Sequence, residues 1–401
     1  MKPFGTLLSF EEATRIIDSN VESITISENL KLDDCLHRIL AQDITASHST
    51  PPFNRAAVDG YALKAKDTFG VSRQNPVMLV ITDVVYAGSV PKTRLKAGGC
   101  IQVATGAKMP RGADAVVMIE DVSREGGQIK VVKPTYPGAN IAPIGEDIKN
   151  GELVLKKGFF LSPANIGVLA SQGLTRVSVY KKPSVAIIPT GEEIGSVGKR
   201  LRPTQVYDIN SHTISAVVAD NGCLPVRFAI SGDNTASIKA NVEAGLKSDM
   251  LVFSGGSSVG ERDLLFGILE EMGEVFFHGI QIKPGKPTMF ARVKGKPVFG
   301  MPGYPTSCLM NAYILLLPAL RKLACLPKIN NVMVHAKLSE RIPGSVGRKQ
   351  FLPVRLEGSI AIPIFKESGS ITGTAKANGY IVINENMDIM EKGNPVTVTL
   401  F

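Results

Sequence analysis

From position 184 onward, short apolar runs alternate with segments of helical periodicity. Ser184–Ile188 (SVAII) reads as a buried strand, Asn210–Asp220 as a helix, Pro225–Ile230 as a strand and Thr235–Gly245 as a helix. Met250–Phe253 is another buried strand, which breaks at Ser254-Gly255-Gly256-Ser257-Ser258. Val259–Glu271 then reads as a helix with Leu264, Leu265, Ile268 and Leu269 on one face. Lys296–Gly300 is the next strand, followed by Met301-Pro302-Gly303-Tyr304-Pro305 and a helix over Thr306–Leu320. Strands alternating with helices predict a mostly parallel sheet covered on both faces. In such sheets ligands bind outside the carboxyl ends of the strands, where three glycine-containing loops lie here.

The flanking pattern differs. Phe10–Asn20 is an amphipathic helix opened by Ser9, with Glu11 and Glu12 in its first turn, and Leu32–Leu40 reads as a second helix. From Pro52 to about Pro143, β-like runs (Val77–Val85, Cys100–Thr105, Ala115–Glu120, Ile129–Pro134) separated by Gly and Pro predict a small β-domain, sheet or barrel. Helix signals return over Ser162–Gln172. After Pro327 short strands resume at Val332–Leu338, Phe351–Leu356, Tyr380–Ile383 and Val396–Phe401, a separate C-terminal β-domain. The predicted division is residues 1–46 with 144–182, an inserted 47–143, an α/β domain at 183–326, and 327–401.

At 401 residues the chain exceeds one compact core. Its formal charge of +9 arises from 45 Lys+Arg interleaved with 36 Asp+Glu, without a basic stripe. That balance favours anionic small molecules over nucleic acid. The five cysteines stand far apart with no CxxC pair, so neither a zinc pattern nor a disulfide framework is read and a reducing cytoplasm fits best. No signal-peptide pattern is read at the N-terminus, and the most apolar helix, Cys308–Leu320, is too short for a bilayer and carries Asn311 and Pro318. The reading is a cytoplasmic protein without a membrane partner.

Candidate chemistry gathers in five stretches. Strand, glycine turn and helix start at 250–263 suit an anion, and Asp263 follows where a carboxylate can hold a metal ion beside a phosphate; an ordinary βα turn is the alternative. Asp59-Gly60 and Val103–Gly106 read as turns taken alone. Pro189–Glu193 places two carboxylates after a buried strand, for solvation or for metal or substrate. Lys283-Pro284-Gly285-Lys286-Pro287 holds two lysines on a proline-stiffened segment, suited to phosphate or oxyanion or else a solvated basic turn. Together they describe a site for a phosphorylated ligand with a divalent cation, without naming a substrate.

In order, NRAAVDGYAL, TGAKMPRGADAVVMIEDV, PTGEEI, YDIN, SGGSSVGERD, KPGKPTMFA and FGMPGYPTS resemble the molybdopterin molybdenumtransferases, the MoeA family that includes the gephyrin E domain, over nearly the whole chain. The resemblance implies a multidomain α/β and β architecture: a central α/β domain of molybdopterin-binding type, an inserted β-domain and a C-terminal β-barrel. It implies insertion of molybdate, with tungstate as the alternative, into adenylylated molybdopterin, with Mg2+ present and release of AMP. It further implies a homodimer whose site lies between the α/β domain of one subunit and the β-domain of the other, with the upstream adenylyltransferase as a candidate partner.

Carried over by position, the family's acidic turn falls on Asp59 and its threonine on Thr105. The loop glutamate falls on Glu193, the later acidic positions on Asp233 and Asp263, and the lysines on Lys283 and Lys286. The resemblance assigns Mg2+ to Glu193, Asp233 and Asp263, and ligand contacts to Gly255, Gly256, Ser257, Ser258, Pro302 and Gly303. In the last domain it points to Arg348 and Ser368, with Arg355 and Ser370 as alternatives. The chain departs from the family pattern at Tyr304 and Thr306 in MPGYPTS, at Ala56-Ala57-Val58 before Asp59, at Glu192, where many relatives carry Asp, and at Asn234, where a second Asp is common. The rival readings are a molybdopterin adenylyltransferase, whose relatives lack the Asp59 and Thr105 domain, and a non-catalytic scaffold, which has no need of all five of Glu193, Asp233, Asp263, Lys283 and Lys286.

Overall fold

The computed structural model of the chain describes residues 7–255, 264–365 and 369–401. The chain forms two compact units. One takes the chain up to Glu28, His37–Ile39 and Val179–Phe401; the other takes Asn29–Leu36 and Leu40–Ser178.

In the first unit, helix α1 spans Phe10–Asn20 as read from the sequence, with a capping box between Ser9 and Glu12. In the second unit, strands β1 (Gly60–Leu63), β2 (Val77–Val85), β3 (Gly99–Val103), β4 (Ala115–Met118), β5 (Val122–Glu125) and β6 (Gln128–Val131) form one sheet in the order β4-β1-β3-β2-β6-β5. Alternation along β1 and β4 fills both faces: Tyr61, Leu63 and Val117 join one cluster, while Ala62 and Val116 join the other. Helix α2 (Pro163–Ser171) follows, capped by Ser162 with Asn165 at its third position.

Leu32–Leu40 is not a helix. Only a 3-10 turn at Leu32–Asp34 forms; His37 adopts φ +61°, which an α-helix cannot continue through, and the Leu40 N–H goes to Phe159 O at 2.9 Å.

The α/β sheet of the first unit contains β7 (Ser184–Pro189), β8 (Leu224–Arg227), β9 (Met250–Ser254), β10 (Glu274–His278), β12 (Met289–Val293) and β13 (Lys296–Met301), ordered β8-β7-β9-β13-β12-β10. The first four of that order run parallel; β12 and β10 add an antiparallel edge that the sequence pattern did not disclose. Helices α3 (Asn210–Asp220), α4 (Thr235–Gly245) and α5 (Leu264–Met272) connect the strands. Val185 and Ile187 of β7 face one core with Ala13 and Ile17 of α1 and Ile214 of α3; Ala186 and Ile188 face the other with Ile238 of α4 and Leu269 of α5. Burial on both faces accounts for the continuous apolar strand sequences.

After β13 the chain enters α6 (Pro305–Asn311), a π-helical stretch at Ala312–Leu316 and α7 (Leu317–Leu323). Pro318 has no N–H to offer the preceding turn, and the ladder widens there rather than breaking. The C-terminal strands are β14 (Met333–Leu338), β15 (Lys349–Glu357), β16 (Ile360–Pro363), β17 (Gly379–Ile383) and β18 (Pro395–Leu400). They run β15-β16-β14-β18-β17 and close through β15–β17 into a barrel. Short β11 (Ile282–Lys283), which carries the first lysine, adds to it alongside β15. Among the described residues no helix is long and apolar enough to cross a membrane.

Candidate active site

The carboxyl ends of β7, β8, β9 and β13 bring four loops together. The Thr190 N–H donates to Ser254 O (3.1 Å), Ser231 N–H to Pro189 O (2.8 Å) and Gly255 N–H to Met301 O (3.2 Å). Asn210, the first residue of α3, donates its Nδ2 to Gly303 O at 2.8 Å. These bonds hold Pro302 and Gly303 beside Gly255, so the predicted loops share one rim. They also engage the Gly255 N–H.

Acidic groups line the same rim. The Glu192 N–H donates to Asp233 Oδ2 at 3.1 Å, while Glu192 O accepts from Arg202 Nη2 and Gln205 Nε2. The Glu193 carboxylate folds back over Gly191 and stays exposed, as does Asp233. Asn234 caps α4 by accepting the Ser237 N–H at 2.9 Å. Among the described residues no three His, Cys, Asp or Glu groups are close enough to hold a metal ion.

The lysine turn follows β11. Lys283 is exposed and its Nζ donates to Ser345 Oγ at 2.9 Å; Lys286 is half-buried and its carbonyl accepts from Ile280 and Thr288 N–H groups. An ammonium has three N–H donors, and Ser345 engages one of those of Lys283.

In the second unit Asp59 and Thr105 meet: the Asp59 Oδ1 accepts the Thr105 N–H at 2.7 Å, and both residues are exposed. Asp59-Gly60 is not a simple turn, because Gly60 already pairs with Val103 of β3 and Met118 of β4.

Three family models match most of the chain: the "MoeA N-terminal region (domain I and II)" over 8–173, the "Probable molybdopterin binding domain" over 186–322 and the "MoeA C-terminal region (domain IV)" over 335–401. The molybdopterin molybdenumtransferase of Bacillus subtilis is 34% identical, covering 93% of this chain and 90% of the relative. That of Haemophilus influenzae is 31% identical, covering 98% of this chain and 99% of the relative. The chain belongs to the MoeA family. The molybdopterin biosynthesis MoeA protein of Pyrococcus horikoshii has the same fold, with a TM-score of 0.87 and 40% identity over 98% of this chain and 99% of that one.

Within this MoeA-family chain, Gly256, Ser257, Ser258, Asp263 and Ser368 lie outside the described residues. Arg348 is exposed and its N–H donates to Ser345 O (3.0 Å), which sets it beside the residue that holds Lys283. Arg355 instead pairs with Glu357 at 2.7 Å along β15. Ser370 O accepts from Thr306 Oγ1 at 2.9 Å, so the Thr306 departure fastens the barrel loop to α6, while Tyr304 stands 66% exposed on the rim. Sequence reading did not single out Asn210 beyond its place in YDIN, nor Ser345, Thr288 or Asn311 for the site. For Asn311 the available signal was a lone amide inside an apolar helix.

Proposed function

We propose that this MoeA-family enzyme of molybdenum cofactor biosynthesis inserts molybdate into adenylylated molybdopterin and releases AMP. The observation that carries the reading is the convergence of the Thr190, Asp233, Gly255 and Gly303 loops on one rim in a chain matched by MoeA models in all three regions.

The donor set suits Mg2+, a hard cation that prefers carboxylate oxygens. Asp233 and Glu193 are exposed acids on that rim, and with Asp263 they would hold it. When bound, the cation neutralises charge on phosphoryl oxygens. The chain's own groups do the remaining work. The residues after Gly255 orient the pyrophosphate, and the loop-to-loop hydrogen bonds keep the rim's shape without reorganisation during reaction. Lys283 and Lys286 attract the oxyanion, as compact cations on a short constrained segment. Asp59 and Thr105 belong to the same reaction, contributed in a homodimer by the partner subunit. Sedimentation at micromolar concentration should give a dimer; a monomer alone would contradict that arrangement.

The test of the function is AMP release from purified adenylylated molybdopterin with molybdate and with tungstate in parallel. Oxyanion-dependent release supports the reading, and the oxyanion with the lower half-saturating concentration is the one used. Absence of release with both overturns it.

A further inference from the structure

Asn311 ends α6 with no exposed surface at all. Its neighbours Met310 and Ala312 are fully buried too, and a buried amide is costly unless its groups are bonded. Its Nδ2 donates to Gly285 O at 3.0 Å and to Thr288 Oγ1 at 2.5 Å, and Thr288 Oγ1 donates in turn to Gly285 O at 2.8 Å. Thr288 is also fully buried. Gly285 has φ +96°, and a Cβ there would lie 2.3 Å from Asn311 Nδ2 and 2.6 Å from its Oδ1. The carboxamide therefore occupies the space beside Gly285 that any other residue would need. The turn that spaces Lys283 from Lys286 is fastened at its centre, from inside the core.

Asn311 Oδ1 has no hydrogen-bond partner among the described residues. The amide is thus held by its Nδ2 alone, toward the Gly285 turn. From Pro305 to Asn311, α6 rises about 9 Å at 1.5 Å per residue, so one rigid helix links the Pro302-Gly303 rim to the lysine turn.

We propose that Asn311, with Thr288, is a positioning residue for oxyanion capture. It touches neither oxyanion nor substrate; it fixes Gly285, and through Gly285 the direction in which Lys283 and Lys286 present their ammonium groups. Preorganisation of this kind removes the entropy cost of ordering the turn when the anion arrives. The inference rests on the reading of these lysines as the oxyanion site.

The experiment is a molybdate titration of AMP release by full-length wild type, Asn311→Leu, Thr288→Val and Lys286→Ala, with a melting curve for each. Thr288→Val keeps shape and removes only the hydroxyl, so it decides the matter should Asn311→Leu fail to fold. Each variant removes two of the three bonds among Asn311, Thr288 and Gly285. Both should raise the half-saturating molybdate concentration about threefold to tenfold, as part of the bonds' net energy is lost from anion binding. The rate at saturating molybdate should change by less than about twofold. A purely structural role would lower the saturating rate or the melting temperature and leave the midpoint in place. Wild-type midpoints in the folded variants, with Lys286→Ala shifted, overturn the positioning role alone. An unshifted Lys286→Ala overturns the lysine reading itself, and the positioning role with it.

Discussion

The Asp59 carboxylate accepts a 2.7 Å hydrogen bond from the Thr105 N–H, across 46 residues of sequence. The bond follows from pairing, since β1 begins at Gly60 and lies against β3, which ends at Val103. Asp59→Asn keeps an acceptor oxygen there, and Thr105→Ala keeps the donating N–H. Both variants should therefore fold with stability within about 0.5 kcal/mol of wild type, as exposed substitutions usually do. AMP release should nonetheless fall at least about tenfold in Asp59→Asn, the effect of about 1.4 kcal/mol lost from transition-state stabilisation. Full activity in a folded Asp59→Asn enzyme would remove Asp59 from the site.

Gly60 answers to sheet geometry. A Cβ on Gly60 would sit 2.0 Å from Val117 O, a backbone atom of the neighbouring strand that cannot move aside. Gly60→Ala should destabilise the second unit by about 2–4 kcal/mol, while Gly127→Ala, with nothing within 4 Å, should be near neutral. Urea unfolding of the two variants makes the comparison, and equal midpoints would contradict the close approach.

Asp233 accepts the Glu192 N–H, a bond that an Asn oxygen can replace. Asp233→Asn should thus leave the loop intact while removing one charge from the proposed cation set. A Mg2+ titration of AMP release should show a half-saturating concentration at least about tenfold higher, and melting should be unchanged. An unchanged Mg2+ requirement would exclude Asp233 as a ligand.

Burial raises the thiols of Cys100 and Cys223 to about 12, and burial followed by the nearby Asp208 charge raises Cys308 further. A raised pKa leaves the thiol protonated, so at pH 8 only about one in 10^4 of a thiol at 12 is the reactive thiolate. Half-buried Cys325 should alkylate first with iodoacetamide at pH 8, and Cys100, Cys223 and Cys308 only once urea unfolds the chain. Mass spectrometry of partly labelled protein reads the order. Native labelling of Cys308 as fast as Cys325 would contradict its burial.

Much of the fold was legible because local chemistry and tertiary packing agree. Ser9 and Glu12 declared the start of α1, and the unbroken apolar runs at Ser184 and Met250 declared strands buried on both faces. Reading failed where a distant contact decides. The Leu32–Leu40 segment has helical spacing, but His37 turns left-handed and Leu40 pairs with Phe159. The β10–β12 pairing was missed because β10 follows α5 with only Gly273 between them, leaving little turn signal to separate strand from helix. At the site, the glycine and lysine loops stood out by composition, yet their common rim depends on sheet order, which periodicity does not carry. Asn311 was legible only as an oddity, since its purpose lies in Gly285 and Thr288, more than twenty positions away.

The central claim is that oxyanion insertion and AMP release are one coupled reaction at this site. The most direct measurement incubates the purified chain with adenylylated molybdopterin, Mg2+ and molybdate, separates the pterin product, and determines its molybdenum content against the AMP released. The account predicts equal amounts of metal-bearing pterin and AMP, with little AMP when molybdate is omitted. AMP released at full rate without molybdate, or released with no metal in the pterin, would contradict it.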